Sequence, residues 1–186
     1  VSRKKSLPLV SVQKETIIAS PVENSTIGYG FSARQIMIHK GEKLHEMGCT
    51  GTGMHIAVLD AGFDDVDNQE AFSKLWQENR ILGTRDFVHP GSSVFQGHTH
   101  GKTVLSVIGG SIPGILSGTA PDASFWLLRT EDSSSEFRIE EDNWIAAAEF
   151  ADSAGVEIIN TSLGYSLFDD PLQNYRYADM DGNKAR

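Results

Sequence analysis

Cysteine is nearly absent: Cys49 is alone among 186 residues. That excludes an internal disulfide and any cluster of cysteine ligands around a metal. Following Gly48, it reads as a small residue of the core. Long apolar runs are missing too. No stretch approaches the roughly 20 residues that cross a bilayer, and no basic segment followed by an apolar one opens the chain as a signal peptide would. Val1 in first place leads us to expect that translation starts upstream, and Lys184-Ala185-Arg186 carries no terminating signal. Positive charge is scarce, 16 Lys and Arg against 25 Asp and Glu, for a net charge of -9. With its one basic cluster at the start of the chain (Arg3, Lys4, Lys5), the sequence argues against nucleic acid as a partner, because phosphate binding needs concentrated cations. Internal repeats and low-complexity segments are lacking.

What is present is a globular composition, 39% hydrophobic and 22% charged, long enough for one domain with a sizeable core. Residues 1–30 are polar and aperiodic, with Pro8 and Pro21, and read as an N-terminal arm or linker. Ser32 to Met47 has near-helical spacing at Ile36, Leu44 and Met47, with Gly48 as a cap and Gly41 as an interruption. Met54 to Leu59 is short, apolar and partly β-branched, the pattern of a strand buried in a parallel sheet. A second apolar stretch centres on Phe87-Val88. Gly101 to Gly110 interleaves apolar with small residues and predicts a helix packed closely on a sheet. Ser124 to Arg129 reads as a strand, Glu140 to Ala154 as a helix, and Val156 to Leu163 as a further strand. In that helix Trp144, Ala147, Ala148 and Ala151 form the apolar face, and Glu140, Glu141 and Asp142 suit the positive end of the dipole. Strand, helix, strand with short links implies right-handed crossovers and a parallel sheet covered by helices.

Three places carry residues suited to chemistry. Asp60 closes an apolar strand, where open α/β sheets place their active sites; the plainer reading is a turn cap. His100 stands where the next helix begins. The positive end of a helix disfavours imidazolium and keeps a ring ready to accept a proton. His98 is its rival within the same segment. Two histidines at that spacing suggest metal, but no third ligand cluster lies nearby. Asn160-Thr161-Ser162-Leu163-Gly164 ends a strand whose edge suits pairing with an extended peptide, or is simply a strand running into a turn.

Taken together, these segments resemble the subtilisin-like (subtilase) serine proteases. Ile56-Ala57-Val58-Leu59-Asp60-Ala61-Gly62 is similar to the family's Asp motif. His100-Gly101-Lys102-Thr103-Val104-Leu105-Ser106 is similar to its His motif. Ile159 to Gly164 resembles its substrate-binding strand, and Gly118-Thr119-Ala120-Pro121 also fits. The wording from Glu140 to Asp181 is most similar to Bacteroidetes-type members. The resemblance implies an α/β, three-layer subtilisin-like fold with a mainly parallel central sheet, incomplete in this chain. Residues 31–186 would be the N-terminal part of the peptidase domain. It implies catalytic roles for Asp60 and His100, and substrate binding by Ser162, Leu163 and Gly164, with Thr130 to Ser135 as the opposite rail.

Two departures stand out. Lys102 replaces the family's Thr after His-Gly. No Gly-Thr-Ser-x-Ala nucleophile motif and no Asn-containing oxyanion motif occurs, and both are expected downstream of Arg186. The resemblance therefore implies a serine endopeptidase whose fragment here is inactive alone, with a peptide or protein substrate and the rest of the catalytic domain as partners. It implies a secreted or periplasmic location. The alternative is a non-catalytic relative that binds peptides through the same groove. A nucleotide-binding domain is disfavoured, because Gly51-Thr52-Gly53 precedes a strand and no phosphate-loop lysine motif exists. Asp179, Asp181 and Asn183 imitate the start of a calcium loop but read as a solvated turn, so no cofactor is expected. A sheet stopped after Leu163 is expected to leave an open edge and exposed apolar faces, making this piece stable only with its remainder or in an assembly.

Overall fold

The computed structural model describes residues 28–179. Nearly all of the expected arm, and the Asp181 and Asn183 positions of the acidic turn, lie outside the described residues.

In chain order the elements begin with α1 (Ala33–Ile38) and α2 (Gly41–Glu46), followed by strand β1 (His55–Asp60). Next come α3 (Ser73–Gln77), β2 (Ile81–Asp86) and α4 (His100–Gly109). A small antiparallel hairpin, β3 (Ser111–Ile112) and β4 (Leu116–Ser117), precedes β5 (Ser124–Arg129), α5 (Ile139–Ser153) and β6 (Ile158–Thr161). The single helical pattern expected over Ser32–Met47 is two helices. Lys40 adopts a left-handed conformation (φ 56°) and breaks the first, Gly41 starts the second, and Gly48 (φ 81°) ends the pair.

β2, β5, β1 and β6 form one sheet in that order, every pairing parallel. The strand before Phe87 was hard to see because β2 is an edge strand with a polar, half-exposed face. At its middle, Gly83 makes room for the Trp126 ring, which a Cβ there would approach to 2.3 Å.

Alternation along the central strands assigns the layers. Ile56 and Val58 of β1, with Phe125 and Leu127 of β5, pack on one face against Leu105 of α4 and Phe72 and Leu75 of the segment around α3. Ala57, Leu59 and Leu128 point the other way, onto Ala147 and Ala151 of α5, with Trp144 and Ala148 packed at the margin. This is a three-layer α/β arrangement with a mainly parallel central sheet. Each fully buried large apolar side chain contributes about 1.5–3 kcal/mol, so the central strands carry most of the stabilisation.

The layers also locate the site. The chain leaves β1 toward the α4 face, whereas it leaves β5 toward α5. Neighbouring parallel strands with exits on opposite faces leave a crevice at their carboxyl ends. Asp60 and Arg129, paired in register, stand at that crevice.

Candidate active site

β1 delivers Asp60 to the crevice as the last residue of an apolar strand, 1% exposed. Its Oδ1 accepts the Ala61 backbone N–H at 2.8 Å, and its backbone carbonyl accepts the Thr130 N–H at 3.0 Å. The carboxylate is thus oriented by its own strand end and by the neighbouring strand. α4 begins at His100, and His100 Nδ1 lies 2.8 Å from Asp60 Oδ1 and 3.0 Å from Oδ2. This contact requires the helix start to come almost onto β1. Gly101 permits it: a Cβ there would fall 2.5 Å from the Gly62 carbonyl oxygen and 2.9 Å from Asp60 Cβ.

Of the two candidate histidines, His100 is therefore the one on the carboxylate. His98 has a different task, its Nδ1 accepting the His100 backbone N–H at 3.2 Å. Lys102 occupies the first turn of α4 without displacing that geometry. The His100 ring is half exposed. With Nδ1–H donated to Asp60, Nε2 is the free nitrogen of the ring.

A cleft of about 320 Å³ joins His100 to the segment after β6: His98 and His100 line one side, Glu131, Ser133 and Glu136 a second, and Ser162, Leu163 and Gly164 a third. All five predicted site residues thus fall in one region. Ser162 is exposed and donates to Asn160 Oδ1 at 3.3 Å. β6, which leads to it, pairs with β1 and has no other strand beside it among the described residues.

Tyr165 carries no signal in the sequence, whereas Glu131 falls in the Thr130 to Ser135 segment expected as the opposite rail. Tyr165 donates its hydroxyl to Glu131 Oε1 at 2.9 Å, tying the segment after β6 to the segment after β5. Burial pushes the Glu131 carboxyl up, against the Tyr165 hydroxyl and the His100 ring, which pull it down. Burial and the nearby Glu131 charge push the Tyr165 hydroxyl up in turn. Glu140 lies in the first turn of α5, as expected, but it is 3% exposed and accepts the Asp132 N–H at 3.1 Å. Its burial pushes the carboxyl up to about 7. Cys49 is corrected: it is exposed, not a core residue.

A scan for known families matches residues 51–184 to the subtilase family, 134 of the 186 residues. The chain belongs to the subtilase family. Among curated subtilases it is 31% identical to subtilisin E of Bacillus subtilis (strain 168) over 169 residues, which is 88% of this chain and 39% of that protein. It is 30% identical to a subtilisin of Bacillus pumilus over 144 residues, 75% of this chain and 46% of that protein. The chain therefore spans less than half the length of these relatives. Among solved structures, MycP1 with its N-terminal propeptide removed superposes with a TM-score of 0.51 at 21% identity, covering 69% of this chain and 36% of that one. That likeness supports the subtilase fold.

Among the described residues, no group of three or more His, Cys, Asp or Glu side chains is arranged to hold a metal ion. No helix among them is long and apolar enough to cross a membrane.

Proposed function

We propose that this subtilase chain supplies the acid–base pair of a serine endopeptidase together with part of its substrate cleft. The observation that carries the reading is the 2.8 Å contact between a buried carboxylate and a half-exposed imidazole at the mouth of a parallel sheet. The roles follow the Asp–His–Ser template, for which subtilisin is itself a standard example. Asp60 holds Nδ1–H, fixes the tautomer and stabilises the imidazolium when it forms. His100 Nε2 takes the proton of a serine hydroxyl as that oxygen attacks the scissile carbonyl, then gives it to the leaving amine. The serine and the oxyanion donors come from residues outside these 186, so the chain alone does not turn over peptides.

In the same reading the substrate lies extended across the cleft. Ser162, Leu163 and Gly164 pair with its backbone on one side, and Thr130 to Ser135 form the opposite rail. The peptidase domain starts near residue 31, after an arm formed by residues 1–30. In this reading the protein is exported, as the resemblance implies, and its sequence from Glu140 to Asp181 is similar to Bacteroidetes-type members. The chemistry needs no cofactor. A purely peptide-binding role has less support, because pairing with a peptide backbone makes no use of an imidazole held on a buried carboxylate.

The test is active-site labelling of the full-length protein by a fluorophosphonate probe under native conditions. Wild type is expected to label and His100→Ala to lose labelling. A folded full-length protein that never reacts would overturn the proposal.

A further inference from the structure

We propose that Arg129 is a positioning residue for the Asp60–His100 pair, acting through Ala61. The inference rests on the reading of that pair given above. Arg129 ends β5 in register with Asp60 and is 8% exposed. A buried guanidinium is costly unless its donors are used, and the bonds here are specific. Nε donates to the Ala61 carbonyl at 3.0 Å and lies 3.3 Å from the Glu131 carbonyl. One terminal nitrogen donates to Asp86 Oδ2 at 3.0 Å. The other oxygen of Asp86 accepts the Val88 and His89 N–H groups at 2.9 and 2.7 Å. The guanidinium is therefore anchored at the end of β2 and reaches across to the exit of β1.

Ala61 is clamped from both sides. Its N–H donates to the Asp60 carboxylate and its carbonyl accepts from Arg129. The next residue, Gly62, adopts φ 154° and has little conformational preference of its own. Without the guanidinium, nothing intrinsic to the Ala61-Gly62 step would hold the amide that orients Asp60. Asp86 neutralises the Arg129 charge, so Arg129 does not compete with His100 for the Asp60 carboxylate. It acts by geometry alone. A supporting group of this kind sets the rate of the chemical step more than substrate affinity.

The experiment uses the full-length enzyme with active sites titrated by a fluorophosphonate, so that only folded, competent molecules are counted. Arg129→Lys keeps the charge but cannot span Ala61, Glu131 and Asp86 together. The double variant Arg129→Gln, Asp86→Asn replaces the pair by neutral groups and leaves no buried charge unpaired. In both, kcat per titrated site is expected to fall about tenfold or more with KM within about twofold, the scale of a small misplacement of reacting groups. The acid limb of the pH profile is expected to move to lower pH, because a loosened carboxylate stabilises the His100 imidazolium less. Asp60, His98, Glu131 and Glu136 are the titratable groups around that ring, and Arg129→Lys alters none of them.

Unchanged kcat per site and an unchanged profile, with only a lower melting temperature, would overturn the proposal. So would a failure of both variants to yield any titratable enzyme, which would assign Arg129 to the fold alone. An inert wild type is a separate result: it sinks the protease reading itself.

Discussion

The two sides of the cleft are built differently. On the dyad side, β1 is buried from Ile56 to Asp60, with neighbours on both edges and helices on both faces. On the other side, β6 is mostly exposed, Ile158 by 46% and Ile159 by 39%, and pairs only with β1 among the described residues. Of the two side chains that meet there, Asp60 stands on the central strand and His100 starts the helix packed onto it, where packing allows one arrangement. β6 stands at an edge among the described residues, where backbone hydrogen-bonding groups remain open.

Breaking the dyad side is expected to have the largest effect. In the full-length enzyme, Asp60→Asn is expected to lower kcat by about 10⁴, the magnitude established for the template triads. Peptide hydrolysis at saturating substrate checks this, and a loss of less than tenfold would remove Asp60 from the mechanism. Next comes the close approach of α4. Gly101→Ala places a methyl group against the Gly62 carbonyl and the Phe63 ring. It is expected to cost about 1–3 kcal/mol of stability by overpacking and about a hundredfold in rate by moving His100. Denaturant melts and kinetics on the same samples separate the two.

The exposed β6 side is tested without any mutation. Ile158 of β6 and Ile139 and Ile145 of α5 are 46%, 60% and 50% exposed. The isolated 186-residue chain is therefore expected to bind a hydrophobic dye and to self-associate. A sharp two-state melt of the isolated monomer would contradict this. The smallest effect is at Glu140, whose carboxyl is raised in the fold from 4.5 to about 7. A raised carboxyl contributes its stability below its unfolded value and loses it as pH rises through about 7. Wild type is thus expected to lose a few degrees of melting temperature between pH 5 and 8 relative to Glu140→Gln. Parallel melting curves at both pH values would show that Glu140 is solvated.

The same contrast explains what the sequence made legible. The apolar run ending in Asp60 and the glycine after His100 are local patterns, and each has one structural solution; their meeting follows from the parallel crossover. The resemblance of His100-Gly101 to the His motif singles out His100 over His98, and the 2.8 Å contact with Asp60 agrees with that choice. β2 lacked a signal because an edge strand need not be apolar. The brace from Arg129 to Asp86 spans 43 residues, and the Tyr165–Glu131 tie spans 34. No periodicity reports a contact between side chains on different strand ends. A charged residue closing an apolar strand, as in Arg129, is the one hint the sequence offered. Cys49 misled, and the burial of Glu140 gave no signal, for a shared reason: burial depends on what packs overhead, which residue type does not encode.

Cys49 stands at the far end of the molecule from the cleft. The next residue, Thr50, accepts the Asp122 N–H near the start of β5, whereas Asp60 closes β1 at the opposite end, roughly five strand residues or about 16 Å away along the sheet. A maleimide-linked dye would therefore attach to this chain at one defined place, clear of the proposed peptide cleft. Fluorescence transfer from a labelled substrate to that dye would report docking directly, even in a variant whose chemistry has been silenced.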